Sequence, residues 1–241
     1  MLADLLDRLT TTQPPLEWQV ALVLGVMALV LSWSVRGHRL TRHLITLVHE
    51  AGHALVAVLV GRRLSAIRLH SDTSGLTVSR GRPSGPGMVA MLAIGYPAPA
   101  LVGLLGAVVL GLGYAAALLW GLVLLCALML LLVRNLYGLW VLLVTGVGLG
   151  ALSWVGTPAI LSGTAYLVVW VLLLGAPRAV AELQRERRRR RDRTSDADQL
   201  ARLTGIPALT WVVVFWVVCA AALVVGGLLT LGITVIDWWP W

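Results

Sequence analysis

Residues 41–60 have the sequence TRHLITLVHEAGHALVAVLV, an apolar run that is interrupted by His49, Glu50 and His53. The run is about as long as the roughly 20 residues that a helix needs to cross the hydrocarbon core of a bilayer. Ionisable groups inside such a segment are costly and usually mark a functional site. The stretch therefore predicts a membrane helix that carries a site.

The remainder of the chain has the composition of a membrane protein. Of its 241 residues, 59% are hydrophobic and only 12% are charged, and the mean hydropathy is +0.87. Soluble domains are about half apolar and about a quarter charged, so a water-soluble fold is excluded. We expect an all-α polytopic protein of the cell membrane, with a single membrane-embedded domain over residues 1–241.

Seven hydrophobic segments are predicted as transmembrane helices. They cover residues 17–35, 41–60, 87–112, 114–133, 136–154, 158–175 and 207–232. In the polar stretch 61–86, apolar residues alternate with polar ones on either side of Ser71–Gly75, a pattern typical of a β-hairpin. A second polar stretch, 177–206, is predicted as a solvated arginine-rich loop or helix, followed by a short helix that Ser195 caps.

The positive charge is concentrated in one part of the chain. The formal net charge is +8, all 19 basic residues are arginines, and nearly half of these lie between Arg178 and Arg202. We therefore expect no nucleic-acid partner, and we predict that the run Arg187–Arg191 anchors the topology and binds anionic lipid. With seven spans, the excess of arginine in cytoplasmic loops predicts a cytoplasmic N-terminus, an external C-terminus, and residues 36–42 outside.

The spacing of the two histidines predicts a metal site. His49 and His53 are four residues apart, so they stack on one face of a helix and can direct nitrogens at one metal ion. Glu50 projects about 100° from His49 and could act as general base on a water held by that metal. A chance HExxH is expected in roughly one such sequence in 600. The alternative is a helix whose histidines only hydrogen-bond to neighbouring helices.

A catalytic zinc site takes three protein ligands and a water, so a third ligand must come from elsewhere. The candidates are Asp72 in the hairpin turn, Asn135 at a helix joint, and Asp192, Asp196 and Asp198 before the last span. A turn commonly contains Asp for local reasons, which leaves the three later acids favoured. A purely structural alternative is that Ser195 and Asp198 cap a short helix while Asp196 stabilises its N-terminus.

The third segment contains two glycines and two prolines, Gly95, Pro97, Pro99 and Gly103. In one interpretation they break the helix and expose its backbone beside the metal, which is tolerated where the backbone lines a cavity. In the other they allow neighbouring helices to pack closely.

The sequence resembles the site-2 protease family of intramembrane zinc metallopeptidases, in its compact branch without a PDZ domain. The resemblance rests on HEAGHALVAVLVGRR (49–63), the hairpin after it, AIGYPAPALVG (93–103) and TSDADQLARLTGIPALTWV (194–212). It implies hydrolysis of a peptide bond in a membrane-spanning protein substrate, with the hairpin presenting the unwound substrate as an added strand. The LDG sequence that supplies the third ligand in many members is absent. The compact branch has SDA here instead, which matches Ser195–Ala197 and implies Asp196.

The combined expectation is an intramembrane zinc metalloprotease in which His49, His53 and Asp196 hold zinc and Glu50 takes a proton from the attacking water. The alternative is a non-hydrolytic membrane protein, metal-binding or chaperone-like, that retains the HExxH site. Glu50 favours the enzyme, because a binding protein needs no general base. Imidazole and carboxylate ligands also suit other divalent metals, so zinc follows from the resemblance.

Overall fold

The computed structural model describes residues 8–189 and 194–233, in which nine complete helices and one hairpin follow one another. The helices are α1 (Trp18–Trp33), α2 (Val35–Leu59), α3 (Pro86–Ile94), α4 (Pro97–Gly111), α5 (Ala115–Leu130), α6 (Leu136–Val155), α7 (Pro158–Arg189), α8 (Asp196–Thr204) and α9 (Ala208–Thr230). The strands are β1 (Arg63–Leu69) and β2 (Gly75–Arg80). The mainly helical fold with a hairpin after the HExxH helix is confirmed. Asp192 and the arginines at 190 and 191 lie outside the described residues.

The described helices contain fewer uninterrupted spans than the sequence predicts. Three of them, α6, α7 and α9, are long and apolar enough to cross a membrane, and the number rises to five if each of two bent pairs counts as one span. The pairs are α1 with α2, bent by 97°, and α3 with α4, bent by 65°, while α5 is a shorter apolar helix of 16 residues. All seven predicted segments are helical, but seven separate spans are not confirmed.

Helices α1 and α7 run parallel and define two ends of the bundle. At one end, the backbone N–H of Leu16 donates to the hydroxyl of Tyr166 (3.2 Å). At the other, Arg178 donates to the carbonyl of Ser32 (2.6 Å). We call the latter the arginine end, because α7 continues there into its arginine-rich last turns, and the former the opposite end. Leu231, after α9, packs in the same apolar cluster as Leu16 at the opposite end.

The start of α2 also lies at the arginine end, which corrects the predicted topology. His38 Nε2 lies 2.6 Å from Glu182 Oε1, and Arg42 Nη1 lies 3.5 Å from Glu182 Oε2. The prediction that residues 36–42 lie across the membrane from the arginine-rich stretch is therefore wrong. Ser34 caps a new helix that turns away from α1, so the two apolar runs are not successive antiparallel spans. The prediction for the two termini, a cytoplasmic N-terminus and an external C-terminus, falls on residues 1–7 and 234–241, which lie outside the described residues.

The predicted hairpin is confirmed, and its outer strand is β2. Strand β1 pairs antiparallel with β2, from Arg63 opposite Arg80 to Leu69 opposite Gly75. The second edge of β1 is occupied as well, because the N–H of Ile67 donates to the carbonyl of residue 132 (2.9 Å) and the carbonyl of Ile67 accepts from the N–H of residue 134 (3.0 Å). Within the described chain, β2 therefore provides the hairpin's free edge.

The arginine-rich stretch 177–206 was predicted as a loop or a helix, and its described residues are mostly helical. Helix α7 continues past the predicted end at residue 175, through Pro177, to Arg189. The short helix predicted after it is α8, and its cap is confirmed, since Ser195 Oγ accepts from the N–H of Asp198 (3.3 Å). The apolar side of α8, with Leu200 fully buried, packs in one cluster with residues of α7 and α9. This packing holds α8 against the rest of the bundle at the arginine end.

Candidate metal centre

His49 and His53 lie side by side on α2, as their spacing predicts. Their Nε2 atoms are 3.0 Å apart, and their rings meet edge to face. His53 Nδ1 lies 2.6 Å from the carbonyl oxygen of Met91. That carbonyl is in the last turn of α3, where helix carbonyls have no partner within the helix. A proton on Nδ1 satisfies it and leaves Nε2 of His53 with a lone pair for a ligand.

Asp196, the first residue of α8, completes a group of three. Its Oδ2 lies 3.3 Å from Nε2 of His49 and 3.3 Å from Nε2 of His53. This oxygen is buried and has no hydrogen-bond partner.

The three atoms have the separation that a single ion requires. A tetrahedral site with bonds of about 2.0–2.2 Å places its ligand atoms roughly 3.3–3.6 Å apart. The observed separations are 3.0, 3.3 and 3.3 Å. Within the described ranges, this is the one group of three or more His, Cys, Asp or Glu residues that could hold a metal ion. The orphaned Asp196 oxygen and the two free imidazole nitrogens fit zinc or a similar divalent cation.

The other acids and the amide that the sequence offered as third ligands are engaged locally. Asp72 Oδ1 accepts from the N–H (2.9 Å) and the hydroxyl (2.6 Å) of the serine two residues on. Asn135 bonds both backbone groups of Leu69, at 2.6 and 3.2 Å. Asp198 bonds to Arg187 of α7. Of the described candidates, Asp196 alone meets the histidines, and the cap by Ser195 coexists with that contact.

Glu50 lies between α2 and the outer strand of the hairpin. It is 3% exposed, and Thr77 Oγ1 donates to its Oε2 (2.5 Å). A Cβ on Gly75 would overlap its Oε1, so glycine at this position lets β2 approach the carboxylate. The sequence alone does not point to Thr77 or Gly75, because nothing in a hairpin pattern indicates which strand faces a distant helix.

The break between α3 and α4 brings backbone against the histidines. A Cβ on Gly95 would lie 2.5 Å from Nε2 of His53 and 2.6 Å from Cε1 of His49. Only glycine fits there. Gly95 therefore agrees with the interpretation that this segment breaks the helix and exposes its backbone beside the potential metal ligands. Gly103 agrees with the other interpretation, close packing of neighbouring helices, because a Cβ there would lie 3.0 Å from the side chain of Leu173. The same break places the ring of Tyr96 edge-on to His49, with 4.8 Å between centroids.

A cavity of about 590 Å³ opens at this group of residues. One wall is β2 over residues 75–79, and the opposite walls come from α3 and α8. Its charged lining includes Arg42, Glu182 and Glu186 from the arginine end. The free edge of the hairpin, Glu50 and the three potential ligands thus share one space, large enough for part of an extended peptide.

Comparison with known proteins gives one family. The model of the family described as Peptidase M50B-like matches residues 22–226, a range that includes both histidines, Glu50 and Asp196. No curated protein and no solved structure matches the chain.

Proposed function

Because the chain belongs to the Peptidase M50B-like family, we propose that it is a zinc-dependent intramembrane protease that hydrolyses a peptide bond of a membrane-spanning protein. The observation that carries the proposal is the meeting of His49 and His53 with Asp196, which is more than 140 residues away, at the spacing of a single metal site. The apolar helices make this a multi-pass membrane protein. The reaction, the metal and the substrate class are our inference.

In the proposed mechanism each side chain has a separate task. A zinc ion supplies Lewis-acid chemistry and lowers the pKa of water to about 7. His49, His53 and Asp196 would hold that ion, and the Met91 carbonyl keeps the His53 ring in the tautomer that leaves Nε2 free to bind it. Glu50 takes the proton of the attacking water and passes it to the leaving amine. Thr77 donates to one oxygen of Glu50 and leaves the other, which lies against Gly75, to accept the proton.

The substrate in this proposal binds as a strand added to β2. A membrane-spanning helix hides its backbone groups within the helix, so it must unwind before a peptide bond can be attacked. A free sheet edge offers hydrogen bonds to the unwound segment. Residues 75–79 of β2 line the cavity, and Glu50 lies directly behind them. A purely metal-binding or chaperone-like role is not favoured, since it gives Glu50 no task.

We expect the purified wild-type protein to contain about one zinc per chain and to cleave a membrane-spanning reporter in proteoliposomes, with both properties lost on treatment with a chelator. His53→Ala should lose metal and cleavage together, as measured by mass spectrometry and by gel analysis of the reporter. His43→Ala is the matched control on the same helix, because His43 meets the hydroxyl of Tyr137 (3.2 Å) and not the site. A folded wild-type protein without metal would contradict the proposal. Bound zinc without cleavage of any reporter would favour the non-hydrolytic alternative.

We also propose that the arginine end, and with it the opening of the cavity, faces the cytoplasm. Among the described arginines, Arg8 alone lies at the opposite end, where it packs over the ring of Trp154. Arginine is enriched in cytoplasmic loops of membrane proteins. Both ends of the described chain then face outward, in contrast to the predicted cytoplasmic N-terminus.

This orientation predicts a labelling pattern in intact cells. A cysteine at Thr157, exposed in the loop between α6 and α7 at the opposite end, should react with a membrane-impermeant maleimide. A cysteine at Asp72, in the hairpin turn, should react only after lysis. The native Cys126 and Cys219 are buried and leave a low background. The reverse pattern would place the opening of the cavity outside the cell and contradict the proposed orientation.

A further inference from the structure

Arg187 does not have the free, lipid-facing side chain that the run Arg187–Arg191 predicts. Its Nε and Nη2 lie 3.0 and 2.9 Å from Oδ1 of Asp198. The other oxygen of Asp198 accepts from the hydroxyl of Ser195 at 2.5 Å, and the Asp198 side chain is only 4% exposed. Arg188 and Arg189 are exposed and stay the candidates for contact with anionic lipid. Arg187 belongs to a different arrangement.

The two acids of α8 point to opposite sides of the helix. Asp196 and Asp198 are two residues apart, so their side chains are separated by about 200° around the helix axis. Asp196 meets the histidines of α2, and Asp198 meets Arg187 at the end of α7. A rotation of α8 that loosens one contact therefore loosens the other.

The remaining contacts of α8 are mostly apolar, with one hydrogen bond at its C-terminal end, where Trp211 Nε1 donates to Thr204 Oγ1 (3.3 Å). Ala197 and Leu200 pack in an apolar cluster with Val180 and Phe215. These contacts hold the helix against the bundle, and the hydrogen bond to Thr204 lies about two turns from Asp196, at the other end of α8. The guanidinium of Arg187 is rigid and directional. Because two of its nitrogens contact one oxygen of Asp198, it sets both the distance of the N-terminal turn of α8 from α7 and the angle of that turn about the helix axis.

We infer that Arg187 is a positioning residue for the third metal ligand, a role that rests on the proposed zinc site. Through Asp198 it holds α8 in the rotation at which Asp196 Oδ2 stands 3.3 Å from both imidazole nitrogens. Without Arg187, the carboxylate of Asp198 is left buried and unpaired, which is strongly unfavourable. The N-terminal turn of α8 then moves to hydrate that carboxylate. A metal site needs its ligands within about 0.5 Å of their proper places, so such a movement weakens it.

The test is the zinc affinity of the detergent-purified full chain, measured by competition with a chromogenic chelator. We expect Arg187→Gln to raise the dissociation constant about 10–100-fold, the range typical for partners that orient a metal ligand. Arg187→Lys keeps the charge but loses the two-nitrogen contact, and should fall between the wild type and Arg187→Gln. Arg188→Gln, its exposed neighbour, is the matched control and should bind as the wild type does. Asp198→Asn should resemble Arg187→Gln, and the double variant should be no weaker than either single variant.

Two further readouts separate positioning from a general loss of structure. The melting temperature of the metal-free protein shows whether α8 and its surroundings still fold. The visible spectrum at saturating Co²⁺ reports ligand geometry, and we expect it to change in Arg187→Gln but not in Arg188→Gln. Wild-type affinity and an unchanged spectrum in Arg187→Gln would overturn the inference while leaving the zinc site intact. Additive losses in Arg187→Gln and Asp198→Asn would overturn it too. A wild-type chain that binds no zinc would instead remove the proposed function itself.

Discussion

Glu50→Gln should purify with a full complement of zinc and cleave no membrane-spanning reporter. The amide has the size and shape of the carboxylate, and its carbonyl oxygen can still accept from Thr77, which now bonds Oε2 at 2.5 Å. The three potential ligands are left untouched, so metal binding is preserved. An amide cannot take a proton from water, however. We expect a loss of activity on the order of a thousand-fold, within the range of general-base catalysis.

The measurement is single-turnover cleavage of the reporter in proteoliposomes, with metal content determined on the same preparation. Glu17→Gln is the control, because Glu17 is exposed and precedes α1 at the opposite end of the bundle. It should cleave at the wild-type rate. Cleavage retained in Glu50→Gln would remove Glu50 from the proton transfer. Zinc lost from Glu50→Gln would make Glu50 part of the metal-binding group, which its contact with Thr77 opposes.

The part of the site that lies on one helix was predictable from the sequence. The positions of His49, Glu50 and His53 relative to one another follow from the helical repeat alone, and the structure has both imidazoles converging as that repeat requires. The glycine at 95 was noted for its ability to break a helix, and the break indeed lies at the histidines. Local geometry of this kind depends only on residues close together in the chain.

The contacts between distant segments could not be derived in the same way. Asp196 was one of several acids on the polar side of a span, and the residues alone gave no reason to prefer it. It was favoured by resemblance, and the folded chain adds the distances. Thr77 and Gly75 were not identified at all, because the alternation of a hairpin gives its two faces but not the element that each face meets.

The topology was predicted less well, for a related reason. Hydropathy measures how long an apolar segment is and contains no information on its direction. Segments 17–35 and 41–60 were both long enough to cross, yet the chain bends by 97° between them, and His38 and Arg42 reach Glu182. Charged residues at the start of α2 are thus satisfied by a partner at their own end of the bundle. That bend also holds the HExxH helix beside the hairpin and α8.

Asp196→Ala should lose its zinc, with an affinity at least a hundred-fold below that of the wild type, since two imidazoles alone do not make the three-ligand site of a catalytic zinc. Cleavage should fall below detection. Metal content by mass spectrometry and affinity by chelator competition measure the effect, and the melting temperature of the metal-free protein shows that the fold is kept. Asp72→Ala is the matched control, because this other acid of the arginine end bonds only within its own turn.

The metal content of Asp196→Ala decides between two roles of Asp196, which are metal ligand and stabiliser of the N-terminus of α8. Ser195 and Asp198 cap α8 through contacts that include none of the three potential ligands, and a carboxylate at the first helical position is favourable by itself. If Asp196 only stabilises the N-terminus of α8, its removal costs roughly 0.3–1 kcal/mol of stability and leaves zinc binding and cleavage unchanged. An oxygen that is buried without a hydrogen-bond partner, 3.3 Å from two imidazole nitrogens, is not explained by stabilisation of a helix end. A cation between the three atoms would account for it, and for that reason we expect metal to be lost with Asp196.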